Sequence, residues 1–262
     1  MSPAHPGAGD DLRAIAFATA DGTSWGAAVS GGDAWSLVTG PSAPDDGALD
    51  VTEDADGGWR LEIEGGALSL LVVADDPPIP PLPPSPAAED GAEPAPVAPF
   101  VAGEGPELCQ VTGTASGRQV QCRGVRVRMG APRSAKEALG SARFVAGWFA
   151  DGSAVGLIAA RPRRHDQPDH DAASATLFDP ERWLPVTEPR LSTTYDAAEH
   201  PARVTLELWV GEGEHEYPRR AAGEASGAPT ATAAGGGALQ VVPLRCHSRG
   251  EEGVGVYVLA TF

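Results

Sequence analysis

F-V-A-G-W-F-A-D-G-S-A-V-G-L-I-A-A-R, residues 144–161, is the stretch on which the reading of this chain turns. Asp151-Gly152 divides two apolar runs. Asp-Gly in that setting signals a β-hairpin, because a two-residue type I′ turn needs positive φ at both central positions. Such a turn sets Ala150 opposite Ser153, and so Trp148 opposite Val155, Ala146 opposite Leu157 and Phe144 opposite Ala159. The other face then pairs Phe149 with Ala154, Gly147 with Gly156 and Val145 with Ile158. Both faces are apolar, so the hairpin is expected to be a wall with protein or ligand on each side.

Upstream, short β-like runs are cut by turn residues: 13–20, 23–30, 33–39, 48–53, 59–64 and 67–74. A turn about every 8 to 12 residues is the pattern of a β-sandwich or barrel. In W-R-L-E-I-E, alternation places Trp59, Leu61 and Ile63 inside and Arg60, Glu62 and Glu64 in solvent, with Trp25 and Trp35 also expected in the core. From Asp75 to Pro99 the chain turns proline-dense and acidic, which suits a stiff spacer or excursion, or a P-x-x-P ligand for an SH3-like domain.

Downstream of it, residues 109–128 read as a hairpin turning at Ser116-Gly117, which sets Cys109 opposite Gly124 and offsets it from Cys122. Ser134-Ala-Lys-Glu137 forms a capping box and Gly140 a stop, giving one short helix. The strand 203–210 alternates, and a last hairpin pairs 239–246 with 254–261 across His247 to Gly253. Ala221 to Gly237, rich in Ala, Gly and Thr, reads as a mobile loop. The fold expected is all-β with two β domains: a small antiparallel domain at 13–75, a Pro-rich linker at 76–99, and an antiparallel barrel with the short helix at 100–262.

A net charge of −17 argues against nucleic-acid or anionic-lipid partners, which need basic surface. Lys136 is the only lysine, so Schiff-base chemistry would fall to it alone. No uninterrupted apolar window reaches the ~18 residues of a membrane span, and residues 1–11 carry no signal-peptide pattern. Three cysteines at irregular spacing give neither a disulfide framework nor a zinc pattern, so reduced thiols in a cytoplasmic protein are expected.

The densest polar cluster is Arg161-P-R-R-H-D-Q-P-D-H-D171. His165, Asp166, Asp169, His170 and Asp171 match no established ligand spacing, and Pro162 and Pro168 mark an irregular loop, so no metal is assigned. No nucleophile elbow, P-loop or dinucleotide fingerprint is present, and no cofactor is expected. Cys246 and His247 are strand neighbours whose side chains point apart. Along 203–210 one face holds Val204, Leu206, Leu208 and Val210, the other Arg203, Thr205, Glu207 and Trp209. The second set faces solvent in a sandwich, or lines the cavity of a ligand-holding barrel. There, burial would raise the Glu207 pKa and make it a general acid. Tyr195-Asp196 reads either as a hydrogen-bonded pair near a strand end, with Tyr as donor, or as a pair that closes a turn.

The hairpin V-T-G-T…G-R at 111–118, T-T-Y-D at 193–196 and L-E-L-W at 206–209 resemble the lipocalin-like superfamily of hydroxyneurosporene synthase, a carotenoid hydratase, and the AttH-like proteins. The resemblance implies two calycin-like β domains. Relatives carry a His-x-Trp-Gly-type motif after the first hairpin, whereas Arg128-Met-Gly-Ala-Pro-Arg133 lacks both the His and the Trp, a departure that touches the hydratase chemistry more than the fold.

Three functions follow as expectations. The first is binding of a small apolar molecule of isoprenoid, polyketide or lipid type in a barrel cavity, walled by Trp148, Leu157 and Trp209 and oriented by Arg161, Glu207 or Tyr195. The second is a hydratase, cyclase or isomerase in the same cavity, with Glu207 or Asp196 protonating an alkene. The third is a noncatalytic interaction module working through the Pro-rich connector or the acidic surface.

Overall fold

A computed structural model of the chain describes residues 12–18, 25–30, 35–40, 49–63, 68–74, 107–115, 117–129, 139–162, 172–180, 182–184, 186–210, 218–234 and 237–261. Every regular element among them is a strand, and all pairings are antiparallel. The first sheet holds β1 (Leu12–Ala18), β2 (Trp25–Ser30), β3 (Trp35–Gly40), β4 (Leu49–Glu53), β5 (Trp59–Ile63), β6 (Leu68–Ala74), β7 (Glu107–Ala115) and β8 (Arg118–Met129). Their order is β3-β2-β1-β8-β7-β6-β5-β4. The second holds β9 (Leu139–Phe149), β10 (Ala154–Pro162), β11 (Ala172–Asp179), β12 (Arg182–Leu184), β13 (Val186–Tyr195), β14 (Pro201–Val210), β15 (Pro218–Ala225), β16 (Thr230–Ala234), β17 (Gly237–Ser248) and β18 (Glu251–Thr261). It runs β12-β11-β10-β9-β18-β17-β15-β14-β13, with β16 on β17. Both sheets curl: the first forms a half-barrel whose end strands β3 and β4 approach, and the second a nearly closed barrel with β11 beside β13.

Three apolar cores follow from strand alternation. Inside the first barrel Trp59, Leu61 and Ile63 pack with Phe17, Leu70 and Val111, and Arg60 and Glu62 point to water, as the period of two requires. Inside the second, Val145, Leu157, Leu206, Leu208, Val242 and Tyr257 meet. The third core lies between the barrels: Ala14, Ala16, Ala18 and Ala27 of the first sheet face Ala142, Ala146, Ala154, Ala160 and Ala260 of the second, with Leu108, Val125, Ile158 and Val256 among them. Alanines let the two sheets come close. The 144–161 hairpin is therefore a wall with protein on both faces.

Its register differs from the expected one. Phe149 donates to the Ser153 carbonyl (2.9 Å) and Gly152 to the Phe149 carbonyl (3.0 Å), so the loop has three residues, with only Gly152 at positive φ (86°). The Asp151 carboxylate is the cause: it accepts the Ser153 N–H at 2.8 Å and hydroxyl at 2.6 Å, a local Asx arrangement that competes with the two-residue turn. The ladder slips by one, pairing Trp148 with Ala154 and Val145 with Leu157. A two-residue turn with both φ positive occurs instead at Arg249 (54°) and Gly250 (87°), joining β17 to β18.

Other elements also differ from expectation. The 107–129 hairpin sits between β6 and β1, so the sheets divide between Met129 and Leu139 and not at residue 100. The Pro-rich stretch consequently links β6 and β7, neighbours in one sheet (Ala74 pairs with Cys109), and is an excursion, not a spacer between barrels; residues 76–99 themselves lie outside the described residues. Gly140, read as a helix stop, belongs to β9, and 134–138 lie outside the described residues, as do 163–171. The loop expected over 221–237 is largely strand: β15 ends at Ala225 and β16 spans Thr230–Ala234, alanines and threonines being held by pairing with β14 and β17. Cys109 does lie opposite Gly124, where a Cβ would come 3.0 Å from the Cys109 sulfur. No described helix is long and apolar enough to cross a membrane.

Candidate functional site

Where the alanine-rich contact ends, larger side chains hold the sheets apart. On the first sheet the cross-strand row next to Leu108–Val125–Ala16 is Gln110–Arg123–Ala18. On the second the facing row is Arg245–Val254–Trp148. Between them opens a groove of about 690 Å³, bordered also by Phe149, Gln121 and Glu252. Arg123 Nη1 reaches across it to donate to the Gly152 carbonyl (3.2 Å), tying the first barrel to the β9–β10 turn. Ala150 donates to the Glu252 carbonyl at 2.9 Å and holds that turn against β18.

The floor is apolar and the rim polar. Trp148 is 7% exposed, and its indole N–H has no partner among the described residues. Cys122, between Gln121 and Arg123 on β8, packs inside the first barrel, where burial pushes its thiol up to about 12, so it stays protonated at neutral pH. Cys246, inside the second barrel, is pushed up to about 12 for the same reason, and its neighbour His247 points outward.

The second barrel holds an apolar core. A cavity of about 20 Å³, water-sized, lies at its mouth beneath Phe149, Leu177 and Leu208, with Arg219 and Arg249 above, both on Asp179 (3.3 and 3.7 Å). Tyr257 is wholly buried there. Its hydroxyl sits beside those of Thr193 and Tyr195 without hydrogen-bond geometry to either, and burial drives its pKa upward.

The seven residues singled out in the sequence are not brought together. Trp148 alone borders the groove. Leu157 points into the second barrel, on the opposite face of the same hairpin. Arg161 is exposed at the end of β10. On β14, Val204, Leu206 and Leu208 take the inside, leaving Glu207 and Trp209 on the outer face, separated from β18 by β15 and β17. The Glu207 side chain is 32% exposed and paired with Arg220 Nε at 3.1 Å. Trp209 is half-buried, its indole N–H unpartnered among the described residues. Tyr195 is 46% exposed at the end of β13. Asp196 begins the β13–β14 turn, where the His200 and Ala198 backbone N–H groups (2.9 and 2.8 Å) hold its carboxyl below the usual range.

The residues not foreseen are Arg123, Arg245, Val254 and Glu252. One signal for them exists: the outward residues of β8 change from Gln121 and Arg123 to apolar Val125, and those of β17 from Arg245 to Val241 and Leu239. Each change marks where an outer face enters the contact between barrels. Among the described residues no group of His, Cys, Asp or Glu is disposed to hold a metal.

No family model and no curated protein matches the chain. Solved structures do. An AttH protein of Nitrosomonas europaea aligns with a TM-score of 0.52 at 14% identity, over 96% of this chain and 92% of its own. CghA aligns at 0.57 and 13% identity, over 96% and 88%, and in a second structure, with Sch210972, at 0.56. At such identities the likeness is one of fold, and it runs through both sheets: this chain shares the fold of the AttH protein and CghA.

Proposed function

We propose that the protein binds a small, largely apolar molecule in the groove between its barrels. The observation that carries this reading is the groove itself: about 690 Å³, within the ~300–1,000 Å³ range of small-molecule sites, with Trp148, Val254 and Ala18 beneath a rim of Gln121, Arg123, Arg245 and Glu252. Among the described residues the second barrel, the place expected from the sequence, shows a cavity of only about 20 Å³ at its mouth, which favours the groove. CghA, of the same fold, has been solved with Sch210972, which supports the use of this architecture for small molecules. Acid catalysis gains no support from an outer-face Glu207 paired with Arg220, or from an exposed Asp196 whose carboxyl is held below its usual range.

Native mass spectrometry of the full chain, with a solvent extract of the same sample, tests the proposal. A co-purifying or added apolar molecule is expected on the wild type and on Glu207→Gln, and at least about tenfold less on Val254→Trp, whose indole fills the groove. Equal occupancy of Val254→Trp would place the ligand elsewhere and overturn the reading.

A further inference from the structure

Resting on the groove as the ligand site, we infer that its ligand is an amphiphilic anion: an apolar body on the Trp148–Val254 floor and a carboxylate, or an equally acidic oxygen, taken by Arg245 and Arg123.

Charge is distributed unevenly over this acidic chain. With a net charge of −17, carboxylates are in excess. Outside the groove several arginines are paired with them: Arg126 lies on Glu107 (2.7 Å), Arg219 and Arg249 on Asp179, and Arg220 on Glu207. In the groove the balance reverses, with two guanidiniums against one carboxylate, that of Glu252, among the described residues. Glu224 is the cross-strand neighbour of Arg245, yet no ion pair forms between them, and Glu252 faces His247 across the strand pair. Arg123 spends one N–H on the Gly152 carbonyl and has others to give.

The two arginines approach from different barrels, Arg123 on β8 and Arg245 on β17. An acidic head between them would accept charge-assisted hydrogen bonds from both walls. The chain's overall negative field opposes an anion's approach only weakly within the groove, because screening at physiological ionic strength confines it to ~8 Å. The apolar floor makes a wholly hydrophilic anion a poor fit, and the paired guanidiniums make a pure hydrocarbon one.

Hexadecanoic acid and hexadecan-1-ol, matched in their apolar chains, serve as probes in titration calorimetry with the full chain at neutral pH. The acid is expected to bind about tenfold or more tightly than the alcohol. Arg245→Gln should weaken the acid by about tenfold and leave the alcohol unchanged. Arg123→Gln should act in the same direction, with thermal melting to separate loss of the Gly152 tie from loss of the charge. Arg220→Gln, outside the groove, should change neither. Equal affinity for acid and alcohol, or an Arg245→Gln that leaves the acid's advantage intact, would overturn the inference while the groove reading stands. Tight alcohol binding that Val254→Trp abolishes, with no gain for the acid, is that result in its clearest form. Failure of both probes to bind would overturn the two together.

Discussion

Gly152 and Gly253 are glycines for different reasons, and substitution separates them. Gly152 sits at φ 86° with nothing within 4 Å of where a Cβ would go, so Gly152→Ala meets only the conformational penalty of the left-handed region, about 1–2 kcal/mol. At Gly253 a Cβ would collide with the Trp148 carbonyl oxygen and come 2.9 Å from the Phe149 ring. Backbone must move there, so Gly253→Ala should cost clearly more in a urea melt than Gly152→Ala. Trp148 makes a third case. Its N–H is buried without a described partner, a state that already carries about 1–3 kcal/mol of desolvation penalty. Trp148→Phe should therefore change stability by less than the ~3–5 kcal/mol typical of aromatic truncation in a core. A loss of that larger size would mean that the N–H is satisfied. Asp151 supplies the pH-dependent member of the set. The Ser153 hydroxyl, then its N–H, holds the carboxyl below its ordinary 3.8. A carboxyl depressed on folding contributes stability that is present above the unfolded value and lost as pH falls through the folded one. Asp151→Asn should flatten the part of the acid stability profile below about pH 4, and a profile unchanged there would refute the assignment.

At the scale of the element, the β9–β10 hairpin shows what was legible and what was not. Apolar residues at every position of two runs identify a strand pair buried on both faces, and burial bears this out. The register was not legible, because Asp-Gly serves a two-residue and a three-residue turn alike and the Ser153 contacts that choose between them are side-chain geometry. One position of slip moved Trp148 from the face of Leu157 to the opposite one. β14 carries a related lesson. Its alternation was plain, yet alternation gives two faces without naming the inner one; the apolar set was free to be core, and it is. Leu208→Ala should then cost about 2–5 kcal/mol in chemical denaturation, the cost of a core cavity. Glu207→Gln, which removes a pair whose Arg220 side chain is 71% exposed, should cost under about 1 kcal/mol. A reversal of that order would put Glu207 inside and restore it as a candidate acid.

At the scale of the molecule, the groove could not be found along the chain because its walls come from β1, β7, β8, β9, β17 and β18, brought together only by the contact between barrels. The alternation of each strand was readable; which outer faces meet depends on sheet order, and sheet order depends on where 107–129 pairs. That pairing also recasts the Pro-rich segment. Ala74 and Cys109 are register partners on adjacent strands, so the 75–106 stretch closes a loop between two strands that would be neighbours without it. Loop-closure entropy rises by about 0.6 kcal/mol per doubling of length, so cutting this loop about threefold should stabilise the chain by roughly 1 kcal/mol. Replacing 76–99 by a short Gly/Ser linker is therefore expected to raise the urea midpoint with an unchanged slope, and to leave ligand occupancy of the groove as it was. A spacer between barrels predicts the opposite, because shortening it would strain the contact of Ala14, Ala16 and Ala18 with Ala142, Ala146 and Ala260 and lower both stability and occupancy. A destabilised deletion would show that the segment holds the two barrels in place and is more than a loop on the first.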